Sequence, residues 1–367
     1  MKRNKVVCMK KIFSYSFISL SIFLGITTVI LAYLPLNNGT WQESFALLVL
    51  NGLLFVHLFI FGIAICMRSF FALFPLLVMM LCYQSIQVIF AFNFPAHESE
   101  KTADLSVLSY NIASFNINRF QDIDSTNIAG EQIQWINKQT ADIICFQEFY
   151  NDDNKEAEQT YLQLNNYYSY TNPTFLDKHS GFFGVAIFSR YPFVGYGNIT
   201  LDTTQLTLNK AVYADVVIKN DTLRILNMHL ESMSIRFAPL INSKSWDEFL
   251  QQTEDIYSKL KIGFEKRKQQ IDIILNFIEK SPYKIILCGD FNDVPLSYTY
   301  RRMKEKLNNS FEKVGFGFGF TCNRRPYFIR IDHQFYSKGI IPISSAVLRE
   351  NTYSDHFPIL SHYCLEK

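Results

Sequence analysis

Seven cysteines occur in 367 residues, and no two stand in a Cys-x-x-Cys pair. That excludes a zinc ribbon and gives no disulfide framework. Cys145 and Cys288 sit inside apolar runs and read as small core residues, while a pairing of Cys322 with Cys364 is left open. No internal repeat is present. The glycines at 315, 317 and 319 alternate with aromatics, lack a strand-then-helix context and are not followed by Lys-Ser/Thr, so they are no phosphate-binding loop. A loop near the site is the expectation there. Acidic residues are nearly missing from the first 95 positions: Glu43 stands against Lys2, Arg3, Lys5, Lys10, Lys11 and Arg68, a net of +5. Residues 96–367 hold the remaining 29 basic and 32 acidic residues, a net of −3. A net-acidic unit argues against coating nucleic acid, which rests on neutralising phosphates with Lys and Arg, and no stable nucleic-acid partner is expected.

Charge is also missing from long apolar stretches. Ile12–Pro35 has none, Phe45–Met67 has none, and Ser69–Phe92 is interrupted only by Gln84 and Gln87. Each run is long enough to cross a bilayer core of ~30 Å as a helix. A cleaved signal peptide explains one such run but not a series. The expectation is a membrane module over residues 1–95 with about three transmembrane helices, the third being the one open to a re-entrant or interfacial reading. Five Lys/Arg lie in the first eleven residues, the loop Leu36–Ser44 has none, and Arg68 follows the second run. The positive-inside rule then places the N-terminus inside and residues 96–367 outside the cytoplasmic membrane. Residues 96–103 read as a linker, and 104–367 as a separate domain.

In that domain short β-rich runs alternate with helical spacing. Strands are expected at 105–112, 142–147, 182–188, 211–218, 222–228, 284–288, 330–336 and after Ser354, with helices at 127–139 and, broken near Gly263, at 245–280. The stretch 235–268 is longer than a minimal connection and is expected to shape access or lean on the membrane. Short buried strands with interspersed helices suggest two packed sheets with helices outside.

Polar residues recur where the strands stop: Asn111, Glu148, His229, Asp290 with Asn292, Asp332, and Asp355 with His356. Singly, an Asn or Asp at a strand end is a turn residue. Together they supply oxygen donors suited to Mg²⁺ or Mn²⁺ and imidazoles for charge neutralisation.

These residues stand in motifs that occur in one order: Ser109-Tyr-Asn-Ile112, Phe146-Gln-Glu148, Gly184-Val-Ala-Ile-Phe-Ser-Arg-Tyr-Pro192, Asn227-Met-His-Leu-Glu231, Gly289-Asp-Phe-Asn-Asp293, Arg330-Ile-Asp332 and Ser354-Asp-His356. The series resembles the endonuclease/exonuclease/phosphatase superfamily over about residues 104–365. The resemblance implies a four-layer α/β sandwich and a divalent-metal-dependent phosphoesterase. It implies Glu148 as a metal ligand with Asn111 beside it and Asp355 supporting that region. Asp290 would activate or position the attacking water, and Asn292 and His229 would hold phosphate oxygens. His356 would meet the scissile phosphate, with Asp332 holding its imidazole. His179 is a further candidate for substrate contact. Arg324 and Arg325 either meet an anionic substrate or belong to a solvated loop. His333 stands where many relatives have an aromatic and is expected to be structural. The expected substrate is a lipid headgroup or other small phosphoester. An extracytoplasmic nuclease is the alternative, and a non-catalytic binding domain on the same fold ranks below both.

Overall fold

The computed structural model describes residues 2–36, 38–94, 103–115, 125–152, 167–176, 181–202, 209–233, 235, 238–324 and 327–366. Two compact units are present, one of residues 1–89 with 296–298, the other of 90–295 with 299–367.

In the first unit the charge-free runs are helical, a form that satisfies the backbone groups within each segment. Helices span Lys2–Ala32 and Trp41–Cys66. Segments Tyr15–Ala32 and Trp41–Cys66 are long and apolar enough to cross a membrane. The lone acid has a local purpose. Glu43 closes a capping box: Thr40 Oγ1 accepts from Glu43 N at 3.3 Å, and Glu43 Oε2 accepts from Thr40 N at 3.3 Å and Gly39 N at 2.7 Å. One face of the second helix, including Leu47, Leu50, Leu54 and Ile60, is buried, and His57 Nε2 lies 3.0 Å from Thr28 Oγ1 of the first helix. The third run is not one straight helix. Phe70–Leu81 and Tyr83–Ile89 are bent by 73° at Cys82, so the described helices provide two spans, or three if the bent pair crosses as one.

The second unit opens with β1 (Ala91–Phe92), followed by β2 (Leu105–Asn111), β3 (Ile143–Asp152), β4 (Tyr168–Leu176), β5 (Gly181–Ser189), β6 (Phe193–Ile199), β7 (Lys210–Ile218) and β8 (Asp221–His229). Then come β9 (Lys284–Asp290), β10 (Asn308–Asn309), β11 (Phe316–Gly317), β12 (Asp332–Tyr336), β13 (Ile340–Val347) and β14 (Ile359–Leu365). They form two six-stranded mixed sheets, in the orders β13-β14-β2-β3-β5-β4 and β10-β12-β9-β8-β7-β6, while β1 pairs with β11 alone. The inner faces meet in one core, where Val107, Ile143, Cys145 and Ile187 of the first sheet pack with Val212, Ile225, Ile286 and Cys288 of the second. Ile133 and Ile136 of the helix Ser125–Lys138 cover the outer face of the first sheet, packing with Leu108, Ile144 and Phe146. The helix Trp246–Glu279 buries Phe264, Ile271, Ile274 and Leu275, and its Phe277 meets Tyr213 of β7 at 5.1 Å. Two mixed sheets flanked by helices are the expected sandwich.

Details depart from expectation. The long helix runs through Gly263 without a break: a Cβ there would lie 2.8 Å from Met233 Cγ, so the glycine admits a neighbour rather than ending the helix. Its N-terminal part and the short helix before it expose Ile241, Trp246 and Leu250. Strands β4, β6 and β13 carry weaker alternation, diluted by Pro, Gly and Ser, and were not expected. The glycine–aromatic run, expected to be a loop, includes β11. Cys322 and Cys364 are both free thiols, the first bridged by backbone to His356 and the second on β14, so they do not pair.

Candidate active site

Strand register brings the polar ends level. Across the second sheet His229 is paired with Asp290, and Asp332 is paired with the same Asp290. In the first sheet Asn111 stands opposite Gln147. A register shift in β3 between Phe146 and Phe149 interrupts its pairing with β5, and Glu148 lies inside that irregularity with φ +49°. Such bulges re-aim a side chain. Asn292, just past β9, has φ +48°. A left-handed conformation at a non-glycine residue costs about 1–3 kcal/mol and persists where surrounding bonds over-determine it. Those bonds are present: Asn292 N donates to Asp290 Oδ1 at 2.7 Å and its Nδ2 donates to Leu230 O at 3.0 Å.

The contacts converge on Asp290, which is buried. Its Oδ2 accepts from Asn111 Nδ2 at 3.0 Å and lies 3.6 Å from His229 Nε2 and 3.8 Å from His356 Nε2. Asn111 Nδ2 also reaches Glu148 Oε1 at 3.2 Å, and that oxygen lies 3.6 Å from His229 Nε2. Asn292 Nδ2 is 3.2 Å from His229 Nε2. Thus Asn111, Glu148, His229, Asp290 and Asn292, drawn from both sheets, form one cluster.

His356 and Asp332 form a buried pair, Nδ1 to Oδ2 at 2.8 Å. Burial by itself would push the imidazole down. The Asp332 and Asp290 carboxylates, with the hydrogen bond to Asp332, outweigh it and hold His356 well above its ordinary value. Burial in turn raises the Asp332 carboxyl, although the imidazolium pulls the other way. The pair is fixed from both sides. Thr321 Oγ1 accepts from Ile331 N and Asp332 N, each at 3.1 Å. Ser354 Oγ donates to Asn111 O at 2.7 Å and accepts from His356 N at 3.1 Å.

Asp290, Asp332 and His356 are the described residues whose potential ligand atoms all lie within 4.8 Å of one another. This group differs from the expected metal set of Glu148, Asn111 and Asp355. A cation held by all three would displace the Asp332–His356 hydrogen bond, whereas Glu148 keeps a third of its side chain exposed (34%) and has room for water ligands. Asn111 turns its amide nitrogen to the two carboxylates, while its oxygen accepts from Ala113 N at 3.0 Å. Asp355 lies outside the cluster in a different contact, its Oδ2 paired with Arg324 Nη1 at 3.0 Å. That bond also places Arg324, whose side chain is half exposed, on the His356 side of the site. His179 and Arg325 lie outside the described residues. His333 is structural: it is buried, packs edge-on to Phe291 and Tyr300, and has Nε2 3.1 Å from Asp293 O. Burial, then Arg330, drives it well below its ordinary value, so it stays neutral.

One supporting layer was not singled out by sequence reasoning. Fully buried Asn227 of β8 donates to Phe146 O at 2.7 Å and Ala186 O at 2.9 Å across the sheets, and accepts from Gln147 Nε2 at 2.6 Å. Gln334 of β12 does likewise, donating to Val107 O and Ile359 O at 3.2 and 3.0 Å. The signal was an Asn inside an apolar strand, where a polar group needs buried partners. Asn227→Leu removes these three buried hydrogen bonds. The expected loss is about 2–4 kcal/mol, visible as a fall of several degrees in the unfolding midpoint of the full chain; an unchanged midpoint would contradict the bridging role.

Residues 108–356 match the endonuclease/exonuclease/phosphatase family. The chain belongs to that family. No curated relative matches it. Solved structures of the same fold include the human Nocturnin catalytic domain with bound sulfate, at 20% identity, TM-score 0.51 and coverage of 71% of this chain and 93% of that one. A mannosyl-6-phosphatase from Bacteroides thetaiotaomicron matches at 19% identity and TM-score 0.51, over 71% of this chain and 100% of that one. TDP2 from D. rerio, complexed with a single-strand DNA product, matches at 17% identity and TM-score 0.51, over 71% and 98%. Family membership places the chain among proteins that are mostly phosphoester hydrolases, and its two apolar helices suit membrane association.

Proposed function

We propose that this protein is a membrane-anchored phosphoesterase that hydrolyses a lipid headgroup or other small phosphoester by metal-assisted in-line attack of water. The observation that carries the reading is the convergence of two imidazoles and a buried carboxylate, His229 and His356 lying 3.6 and 3.8 Å from Asp290 Oδ2.

In this reading Asp290 orients the water and takes its proton as the new P–O bond forms and the ester P–O bond opposite breaks. The protonated His356, held by Asp332, neutralises charge on a non-bridging oxygen. His229 and Asn292, 3.2 Å apart, hold the remaining oxygens. The donor set fits a hard divalent cation: Glu148 and Asp290 present carboxylate oxygens to one space, and the half-open Glu148 leaves room for the waters that Mg²⁺ retains. Glu148 would hold Mg²⁺ or Mn²⁺, Asn111 would orient Glu148 toward it, and Asp355, tied to Arg324, would act at one remove. When bound, the cation would supply charge neutralisation at the phosphate.

A small substrate is supported by the net −3 of residues 96–367 and by the structural likeness to a sugar-phosphate phosphatase. The likeness to TDP2 with its single-strand DNA product favours a nuclease as the second reading. The basic N-terminus supports an extracytoplasmic site. One experiment addresses all three points. Intact spheroplasts carrying the full chain are given phosphatidylinositol and sphingomyelin vesicles, inositol phosphates, single- and double-stranded DNA, and RNA, with Mg²⁺, Mn²⁺ or chelator. Metal-dependent cleavage of lipids or inositol phosphates beyond that of a His356→Ala control is the expected result. Cleavage of nucleic acid alone favours the second reading, cleavage only after lysis reverses the topology, and no cleavage above the control overturns the proposal.

A further inference from the structure

Apart from the residues of the active-site cluster, the second unit carries a groove of about 1080 Å³ with six phenylalanines among its lining residues. It runs between the β1–β11 ribbon and the strand β13. Its rings form two groups joined by Phe90: Phe94 and Phe316 are 5.3 Å apart, Phe318 and Phe320 are stacked at 5.0 Å, Phe328 meets Phe320 edge-on at 5.7 Å, and Phe90 lies 6.0 Å from Phe316 and 4.8 Å from Phe318. Phe94, Phe316 and Phe328 are 77%, 51% and 74% exposed. Clustered aromatics at such exposure mark an interaction site rather than scattered surface apolarity.

The groove is a built feature. Asn93 Nδ2 donates to Glu312 O at 2.9 Å and Gly315 O at 3.0 Å, fixing the ribbon to the short helix beneath it. Gly319, with φ +62°, lets the chain wrap the Phe311 ring, where a Cβ would lie 2.5 Å from Phe311 Cζ. The serines that line the groove are already engaged, Ser344 with His362 and Ser345 with Ser361, each at 2.9 Å. What the groove presents is therefore mainly hydrocarbon.

Two further features name the occupant. Lys313 and Arg349 line the groove, both are exposed, and neither forms an ion pair among the described residues; Arg349 stands 6.0 Å over the Phe320 ring. The wall strand β1 begins two residues after Ile89, the end of the last apolar helix. Phenylalanine rings with flanking cations, continuous with apolar membrane segments, match the chemistry of a bilayer interface.

We propose that this groove binds an anionic phospholipid, an acyl chain lying along the phenylalanines and the headgroup phosphate meeting Lys313 and Arg349. The site does not depend on what Asp290 and His356 hydrolyse. It also adjoins them in sequence, since Phe320 is followed by Thr321, which holds Asp332, and by Cys322, which bridges His356.

The test uses the full chain in nanodiscs of phosphatidylglycerol bearing an acyl-chain diazirine. After photolysis, digestion and mass mapping, label is expected on peptides covering 90–94 and 313–328 as well as on the apolar helices. Lys313→Ala with Arg349→Ala, both at exposed positions, should lower groove labelling by about fivefold or more, with helix labelling unchanged as the internal control. Phosphatidylcholine discs should give a similar fall. Label confined to residues 1–89 would overturn the proposal and is the outcome expected if a second copy or a peptide fills the groove. Equal groove labelling in both lipids, or in the double variant, would overturn the headgroup assignment.

Discussion

His356→Ala is expected to lower hydrolysis by about 10²–10³-fold, the range for losing one preorganised donor aimed at developing charge, while the chain stays folded. The reason is electrostatic. His356 is buried yet held protonated by Asp332 and Asp290, so it offers a fixed positive charge that needs no reorganisation as charge develops on the phosphate. Removing it also leaves Asp332 buried without its imidazole partner, and that carboxyl, already raised by burial, is then expected to protonate. A companion variant separates positioning from folding. Asp332→Asn removes a carboxylate that raises the imidazole, so His356 should lose its proton at lower pH. Hydrolysis by the parent should hold steady from about pH 6 to 8, across the ordinary imidazole range; hydrolysis by Asp332→Asn should fall as pH rises through that interval. Full activity in His356→Ala, or parallel pH profiles for parent and Asp332→Asn, would remove the pair from the mechanism.

Glu148→Gln is expected to raise the Mg²⁺ concentration for half-maximal hydrolysis by about 10–100-fold, the range for perturbing a metal's ligand environment, with a smaller effect on the rate at saturating metal. The substitution keeps the shape of a residue at φ +49° and its reach to Asn111, so folding is not the variable. It removes one anionic oxygen from a space where Asp290 supplies another 3.0 Å from the same amide. An unmoved metal titration would shift the cation toward the Asp290–Asp332–His356 group, where the ligand atoms lie within 4.8 Å of one another. Asp290→Asn would then be the variant whose titration moves.

How much of this was legible beforehand varies with the kind of signal. Strands β2, β3, β5, β7, β8 and β9 stood out because each is a short run rich in buried apolar residues, and in β2, β3, β8 and β9 that run stops at a polar residue. Strand β6 did not: its pattern Phe193-Val-Gly-Tyr-Gly-Asn-Ile199 alternates half-buried with exposed positions at the edge of its sheet, where packing demands little of composition. Gly263 misled in the other direction. A glycine in a helix is a weak breaker, and here the helix on either side outweighs it because Met233 needs the space. The third apolar run has the composition of a span, and composition has no term for the 73° bend at Cys82.

By itself the sequence determined what has a local or additive cause: charge-free runs long enough for hydrocarbon, an acidic second unit, short apolar strands, and the chemical identity of the residues at their ends. Those follow from transfer free energy and backbone preference, which each residue carries with it. Only the tertiary structure decided what depends on distance. It set Asp290 against two histidines far apart in sequence, turned the Asn111 amide toward two carboxylates, paired Asp355 with Arg324, and gathered phenylalanines from two segments more than two hundred residues apart into one groove. Hydrogen bonds are lost beyond about 3.5 Å and Coulomb energies fall with distance and are screened over about 10 Å, so both act on neighbours in space, and neighbours in space are the product of register, bulge and sheet packing.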